Sequence, residues 1–405
     1  MAMIAWDPDA PAVRIHEGLA IAMATSNAHI LPGPDGDVII NTGTAMQGAR
    51  IREKFETLLG RPLNVAKVIL TQSHPDHTGG WSHFAGDSTE TFAQAAFDQI
   101  NAERKLLGPF FGPRNARVLA AMIPPGTKGE HWFNAPDPAP VTTFQDSHDF
   151  EYGGRRFHLF SLSSGETLDS LGVWLPDEKT VFIGNWAGAI LGALPHFYTA
   201  RGDRDRSVTT WLRHCDQLIA LGAEMLVTGH GMPVTGADKV RAHLTHLRQA
   251  VAHIHDETVK GMNEGRTLAD LRTSIALPPH LETEAGRGPV DWYVRAVWEE
   301  YAGWFKQDLT SELYGQSARE IWPELAEMAG GAAALAARAN DLVAKGEPVK
   351  ALHFIEIALD AAPDDAAVRQ AAIAVFEALL DATGGRHFDL VGWLEGRIMS
   401  LTGTR

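Results

Sequence analysis

The period of apolar and polar positions changes near residue 235. Before that point, short apolar runs alternate with turn residues. "LAIAMATSNAHILPGPDGDVIINTG" predicts two strands joined by a turn through Pro34, Asp35, Gly36 and Asp37. "GARIREKFETLLG" has helical spacing, with Ile51, Phe55, Leu58 and Leu59 on one face. "NVAKVIL" predicts a short buried strand, and "STETFAQAAFDQINAERKLLG" predicts a helix. "RRFHLFSL", "LGVWLP" and "KTVFIG" predict three more strands. "RSVTTWLRHCDQLIALG" predicts a helix, and "AEMLVTGHG" a strand ending at Gly229, His230 and Gly231. Past residue 235 the strand signals fade. "ADKVRAHLTHLRQAVAHIHDETVKGMNEG" is helical, and from Trp322 helices are broken at Gly346-Glu347-Pro348 and at Pro363. That spacing suits one tetratricopeptide-like unit, too little for an array. The expectation is an α/β domain over 1–237 followed by an all-helical domain over 238–405.

A length of 405 residues agrees with two domains, because single cores stop growing below that size. There are 50 Asp plus Glu against 35 Lys plus Arg, a formal net charge of −15. Such an excess of acid argues against a broad nucleic-acid or anionic-membrane surface, and leaves room for one local basic pocket. With a single cysteine, Cys215, an intrachain disulfide is excluded and a metal site must draw on His, Asp and Glu. Cys215 sits in a helical pattern and reads as a buried structural thiol. The N-terminal residues show no basic region followed by an apolar core, and no apolar run is long enough to span a bilayer. The expected location is cytoplasmic.

Candidate chemistry concentrates in "KVILTQSHPDHTGGW", Lys67 to Trp81. An apolar strand runs into a turn holding His74, Asp76 and His77, three metal-binding side chains in four residues. Pro75 biases His74 toward an extended backbone. Gly79 and Gly80 permit a close approach or an unusual dihedral. Glu166, Asn185 and His230 each follow another strand, and strand-end residues of α/β sheets line the usual ligand crevice. Imidazoles and carboxylates without thiolates suit zinc, or iron or manganese. His16, His83, His243, His253 and His255 read as ordinary surface or hydrogen-bonded residues.

"TQSHPDHTGG" resembles the Thr-His-x-His-x-Asp-His-x-Gly-Gly motif of the metallo-β-lactamase superfamily, and "SSGETLDSLGVWLPDEKTVFIGNWAG" resembles its next ligand segment. Within the superfamily the chain looks most like alkylsulfatases related to the bacterial hydrolase of dodecyl sulfate. Glu166 matches that branch's carboxylate ligand. "YTARGDRDRS" is similar to its Tyr-Thr-Leu-Arg-Gly segment, and "WYVRAVWEEYAGWF" with the helices after it is close to its dimerisation domain. The resemblance implies a metallo-β-lactamase-like αββα sandwich followed by a helical dimerisation domain, and a homodimer. The branch's lipid-carrier-like C-terminal domain and secretion leader are not expected here.

Two departures fall on the site. Gln72 stands where the motif has its first histidine, and Asn185 where the family has a second glutamate. The resemblance therefore implies two half-sites, Gln72, His74 and Glu166 on one side and Asp76, His77 and His230 on the other, with Asn185 between. Amide oxygens bind such cations more weakly than imidazole or carboxylate. One or two zinc ions are implied, with one held firmly by Asp76, His77 and His230. A single ion shared by His74, His77, Glu166 and His230 is the other arrangement. Asp76 would orient or deprotonate the attacking water. Arg201 would hold an anionic sulfate or carboxylate, or else pair with Asp203 or Asp205. His196 and Tyr198 are candidates to donate toward the leaving oxygen, or members of a packed aromatic loop. The implied substrate is a small anionic or amphiphilic molecule. Three functions follow: an alkyl sulfate esterase, a carboxylic ester, lactone or thioester hydrolase, and a binding protein with a decayed metal site.

Overall fold

A computed structural model describes residues 7, 9–119, 138–139, 142–202, 204 and 206–403. Strands β1 (Val13–His16), β2 (Leu19–Ala22), β3 (Ala28–Leu31), β4 (Asp37–Ile40), β5 (Val65–Ile69), β6 (Glu90–Gln94) and β7 (Thr142–Phe144) form one sheet in sequence order. Its first four strands pair antiparallel, and β4 to β7 pair parallel. A second sheet has the order β13-β12-β11-β10-β9-β8. Its strands are β8 (Ser147–Tyr152), β9 (Arg155–Ser161), β10 (Leu171–Leu175), β11 (Thr180–Phe182), β12 (Met225–Val227) and β13 (Val234–Thr235).

The period of two along each strand sorts side chains between layers. Val38 and Ile40 of β4 face the core between the sheets, where they join Ile69, Phe92, Phe157, Leu171 and Val173. Ile39 and Val68 point the other way, against Ile51 and Phe55 of α1 (Gly48–Leu59). Between β5 and β6 lies the single turn α2 (Pro75–Thr78). After β6 come α3 (Phe97–Leu106) and α4 (Gly108–Leu119). The outer face of the second sheet packs Val181 and Leu226 on Trp211 and Leu218 of α5 (Val208–Ala220). The result is a helix–sheet–sheet–helix sandwich. The helices α6 (Ala237–Asn263), α7 (Leu268–Ser274) and α8 (Val290–Ala302) share the core of α5, through Leu244, Leu247, Leu271 and Val294. A separate apolar cluster is built from α9 (Trp322–Met328), α10 (Ala332–Ala344), α11 (Pro348–Ala361), α12 (Ala366–Ala382) and α13 (Phe388–Thr402). No described helix is long and apolar enough to cross a membrane.

Two local expectations are corrected. The segment read as two strands holds three, because Ser26 and Asn27 interrupt it and Asn27 bonds to the backbone of Gly229 instead of continuing a ladder. The segment read as one helix from Ser88 begins as β6, with Phe92 in the inter-sheet core and Ala93 on the opposite face, and becomes helical only at Phe97. The parallel slot between β5 and β7 overrode the helical propensity of the alanines there. Cys215 is buried on α5 and burial pushes its thiol up to about 12, in keeping with a structural role.

Candidate metal centre

His74 closes the β5 loop in an extended conformation, and Pro75 occupies the first position of α2, where its missing N–H is no loss. The turn lifts Asp76 and His77 back over the strand end. Gly79 and Gly80 have ordinary negative φ, so their role is space: a Cβ on Gly80 would lie 2.2 Å from the carbonyl oxygen of Thr42, and one on Gly79 would lie 2.5 Å from the amide nitrogen of Ala45. Both Thr42 groups clamp the turn, its N–H (2.8 Å) and its hydroxyl (3.1 Å) donating to the His77 carbonyl. Asn41, held at φ 59° after β4, places its amide nitrogen 3.1 Å from His77 Nδ1 and also bonds Thr71.

Among the described residues, one group of three or more His, Cys, Asp or Glu donors converges within 4.8 Å: Asp76, His77 and His230. His77 Nε2 lies 3.5 Å from Asp76 Oδ2. Burial pushes His77 down to about 4, against the opposing pull of Asp76, and burial lowers His230 as well. Burial works against the charge of Asp76, but His77, His74 and His230 hold its carboxyl below the usual range. At neutral pH the group is therefore two neutral imidazoles and one carboxylate. That is the protonation state a divalent ion requires, and three such ligands are a common zinc set.

The other half is arranged differently. Gln72 and Asn185 turn their amide nitrogens to Glu166 Oε2, donating at 3.0 and 2.7 Å. Reversing either amide would set a carbonyl oxygen against the carboxylate, so the orientation follows from the network. His74 Nδ1 lies 3.3 Å from the same oxygen. The second oxygen, Oε1, faces His196 Nδ1 at 3.6 Å, Arg201 at 3.7 Å and Arg287 at 3.7 Å. Burial opposes the charge on Glu166, but His74, His196 and Arg287 hold its carboxyl well below the usual range. Both oxygens thus face N–H groups and cationic side chains where a second metal ion would need lone pairs. Gly229 makes room for Asn185: a Cβ there would lie 2.1 Å from Asn185 Oδ1.

Of the residues singled out in the sequence, Gln72, His74, Asp76, His77, Glu166, Asn185, His196, Arg201 and His230 meet at this rim. Tyr198 is tied to the helical region: its hydroxyl donates to Glu299 of α8 at 2.7 Å, and Arg295 lies over its ring. The sharing of one ion by His74, His77, Glu166 and His230 is not supported, because His74 and Glu166 stand outside the converging group. Asp203 and Asp205, the alternative partners of Arg201, lie outside the described residues. Three participants carried no sequence signal. Ser26, from the β2–β3 connection, touches Asp76, His77 and His230. Arg287, from the loop before α8, is 12% exposed and enters from the helical region. Asp389, buried at the start of α13, pairs with Arg287 at 3.4 Å.

Residues 24–230 match the family model of the metallo-beta-lactamase superfamily, and residues 267–385 match that of alkyl sulfatase dimerisation. A linear primary-alkylsulfatase of Pseudomonas sp. is 28% identical over 301 residues, covering 69% of this chain and 56% of the relative. The alkyl/aryl-sulfatase BDS1 of Saccharomyces cerevisiae is 25% identical over 406 residues, covering 92% of this chain and 61% of the relative. The chain spans about three fifths of the length of these curated relatives. The solved structure of the stereoselective inverting sec-alkylsulfatase Pisa1 from Pseudomonas sp. superposes with a TM-score of 0.85 at 22% identity, over 98% of this chain and 66% of that one, which establishes a shared fold.

Proposed function

The chain belongs to the metallo-beta-lactamase superfamily, in its alkylsulfatase branch, and on that premise we propose that it is a metal-dependent hydrolase of sulfuric esters of the alkyl sulfate type. The observation that carries this reading is the convergence of Asp76, His77 and His230 beside a carboxylate faced by two guanidinium groups. Asp76, His77 and His230 would hold one ion, with zinc the metal their chemistry suits best. The N–H groups of Gln72 and Asn185 meet Glu166 where a second ion would need lone pairs, which favours one ion over two. The bound ion supplies Lewis acidity that makes water a nucleophile near neutral pH. Asp76 orients the attacking water. Arg201 and Arg287 hold the anionic head of the substrate, and Glu166 fixes both guanidinium groups at equal distance. His196, buried against Glu166, positions that carboxylate.

A substrate panel tests the reading. Dodecyl sulfate is set beside aryl esters, lactones and thioesters, with metal content measured on the same samples. The expected result is about one tightly held ion per chain and preference for the sulfate ester. Arg201→Ala should keep the metal and weaken anionic substrates by roughly 1.5–3 kcal/mol, the loss of one charge-assisted hydrogen bond, while neutral esters barely respond. Preference for a lactone or thioester would move the chain to carboxylic ester chemistry. No turnover by metal-loaded protein would leave a binding protein.

A homodimer is part of the same proposal. The match over 267–385 to a dimerisation family supports it, and so does exposed apolar surface. Val294 and Val297 of α8 are buried, but Tyr301 is 52% and Trp304 68% exposed, and Leu309, Leu313 and Tyr314 are exposed beyond them. A run of large apolar groups in water is the usual mark of a covered interface. Light scattering at micromolar concentration should give twice 44.0 kDa. A particle of one chain mass would refute the dimer.

A further inference from the structure

Ser26 is fully buried, and its hydroxyl reaches every member of the candidate metal group. Oγ lies 3.3 Å from His77 Nε2 and 3.4 Å from His230 Nε2, and it bonds to Asp76 Oδ2. A tetrahedral zinc ion with bonds near 2.0–2.1 Å separates its donors by about 3.3 Å. The observed spacings of Ser26 to the two imidazoles, and of His77 to Asp76 at 3.5 Å, are close to that edge. Two of the hydroxyl's three spacings thus suit a fourth corner of the donor set, while the third, to Asp76 Oδ2, is a direct hydrogen bond.

Its position is imposed by the backbone. Ser26 belongs to the break between β2 and β3, and the next residue is tied to the loop that carries His230. Asn27 N–H donates to the Gly229 carbonyl at 2.7 Å, and its side-chain amide donates to the Gly231 carbonyl, also at 2.7 Å. On the other side, Gln47 of the α1 N-cap donates to the Thr25 hydroxyl at 2.9 Å. Ser26 and His230 are thus fixed relative to each other.

We propose that Ser26 Oγ is a fourth protein donor to the ion held by Asp76, His77 and His230. The proposal rests on the metal reading above. A neutral hydroxyl is the weakest donor of the four, which suits a position that must also admit an oxygen of water or substrate.

The test uses the full chain, stripped of metal and titrated with Co²⁺. Ser26→Ala is not decisive, since a residue that merely orients Asp76 would also cost about 10–100-fold in affinity when removed. Ser26→Cys reports whether this position reaches the ion, which a donor requires. A sulfur at this corner binds the ion as thiolate. The variant should bind one Co²⁺ with a near-ultraviolet thiolate-to-cobalt charge-transfer band, absent from the parent protein, whose single thiol is buried on α5. It should also hold Zn²⁺ at least about 10-fold more tightly, thiolate being the better zinc ligand. If the variant binds Co²⁺ without that band, or loses Co²⁺ binding, Ser26 is not a donor, and the metal reading survives as long as the parent binds. If the parent itself binds no Co²⁺, or binds it unchanged after His77→Ala, the metal reading has failed instead.

Discussion

His77→Ala is expected to remove metal and hydrolytic activity together, with metal affinity falling by more than about 100-fold. Changing a partner that only supports a ligand costs about 10–100-fold, so losing one of three charged or imidazole donors must exceed that range. The side chain is fully buried, and Nε2 faces Asp76 and Ser26. The turn that carries it is anchored through the backbone, by Thr42 to the His77 carbonyl, and these bonds survive the substitution. The variant should therefore fold, as judged by circular dichroism, and fail only in metal content and turnover. A folded His77→Ala protein that keeps stoichiometric metal would overturn the assignment of the ion to Asp76, His77 and His230.

Asp389→Ala is expected to cost about 3 kcal/mol of stability, read by urea unfolding. Asp389 is fully buried near the N-terminus of α13, where the helix dipole favours a carboxylate. One of its oxygens pairs with Arg287 at 3.4 Å, and the other accepts from the N–H of Ala200 at 3.4 Å, next to Arg201. Its own N–H donates to the Arg287 carbonyl at 2.9 Å. Removing the carboxylate leaves a buried guanidinium whose counter-charge among the described residues is the more distant Glu166. Breaking one side of a buried pair is costly chiefly because the remaining charge is stranded, so Arg287→Met combined with Asp389→Ala should recover much of the loss. Additive losses would show that Asp389 acts through the helix dipole and the Ala200 N–H rather than through Arg287. In the proposed enzyme the single variant should also raise KM for anionic substrates, because Arg287 loses its nearer carboxylate and the backbone just before Arg201 loses an acceptor.

Several features were legible in the chain itself. The run from Gln72 to Gly80 carries its metal chemistry in consecutive residues, so a short window is enough to find it. The sandwich layers follow from strand alternation, as in Val38, Ile39 and Ile40, which divide between two cores. The helical character after residue 235 follows from spacing in the same way. Where local propensity and packing disagreed, packing won. Phe92 and Ala93 lie in an alanine-containing stretch that reads as helix, yet the slot between two parallel strands made it β6.

The sequence by itself determined the donor types, the strand ends that carry them, and the two substitutions, Gln72 and Asn185, that separate this site from its family's pattern. Only the tertiary structure decided how those substitutions act. Both amides present N–H groups to Glu166, so a carboxylate that resembles a metal ligand is satisfied by hydrogen bonds and by Arg201 and Arg287. It also decided that Ser26 joins Asp76, His77 and His230, and that Arg287 and Asp389 reach the rim from the helical region. The physical reason is distance along the chain. Ser26 and His230 are 204 residues apart, and Arg287 and Asp389 are 102. Periodicity and propensity act over a few neighbours, while such contacts are set by how sheets and helices stack.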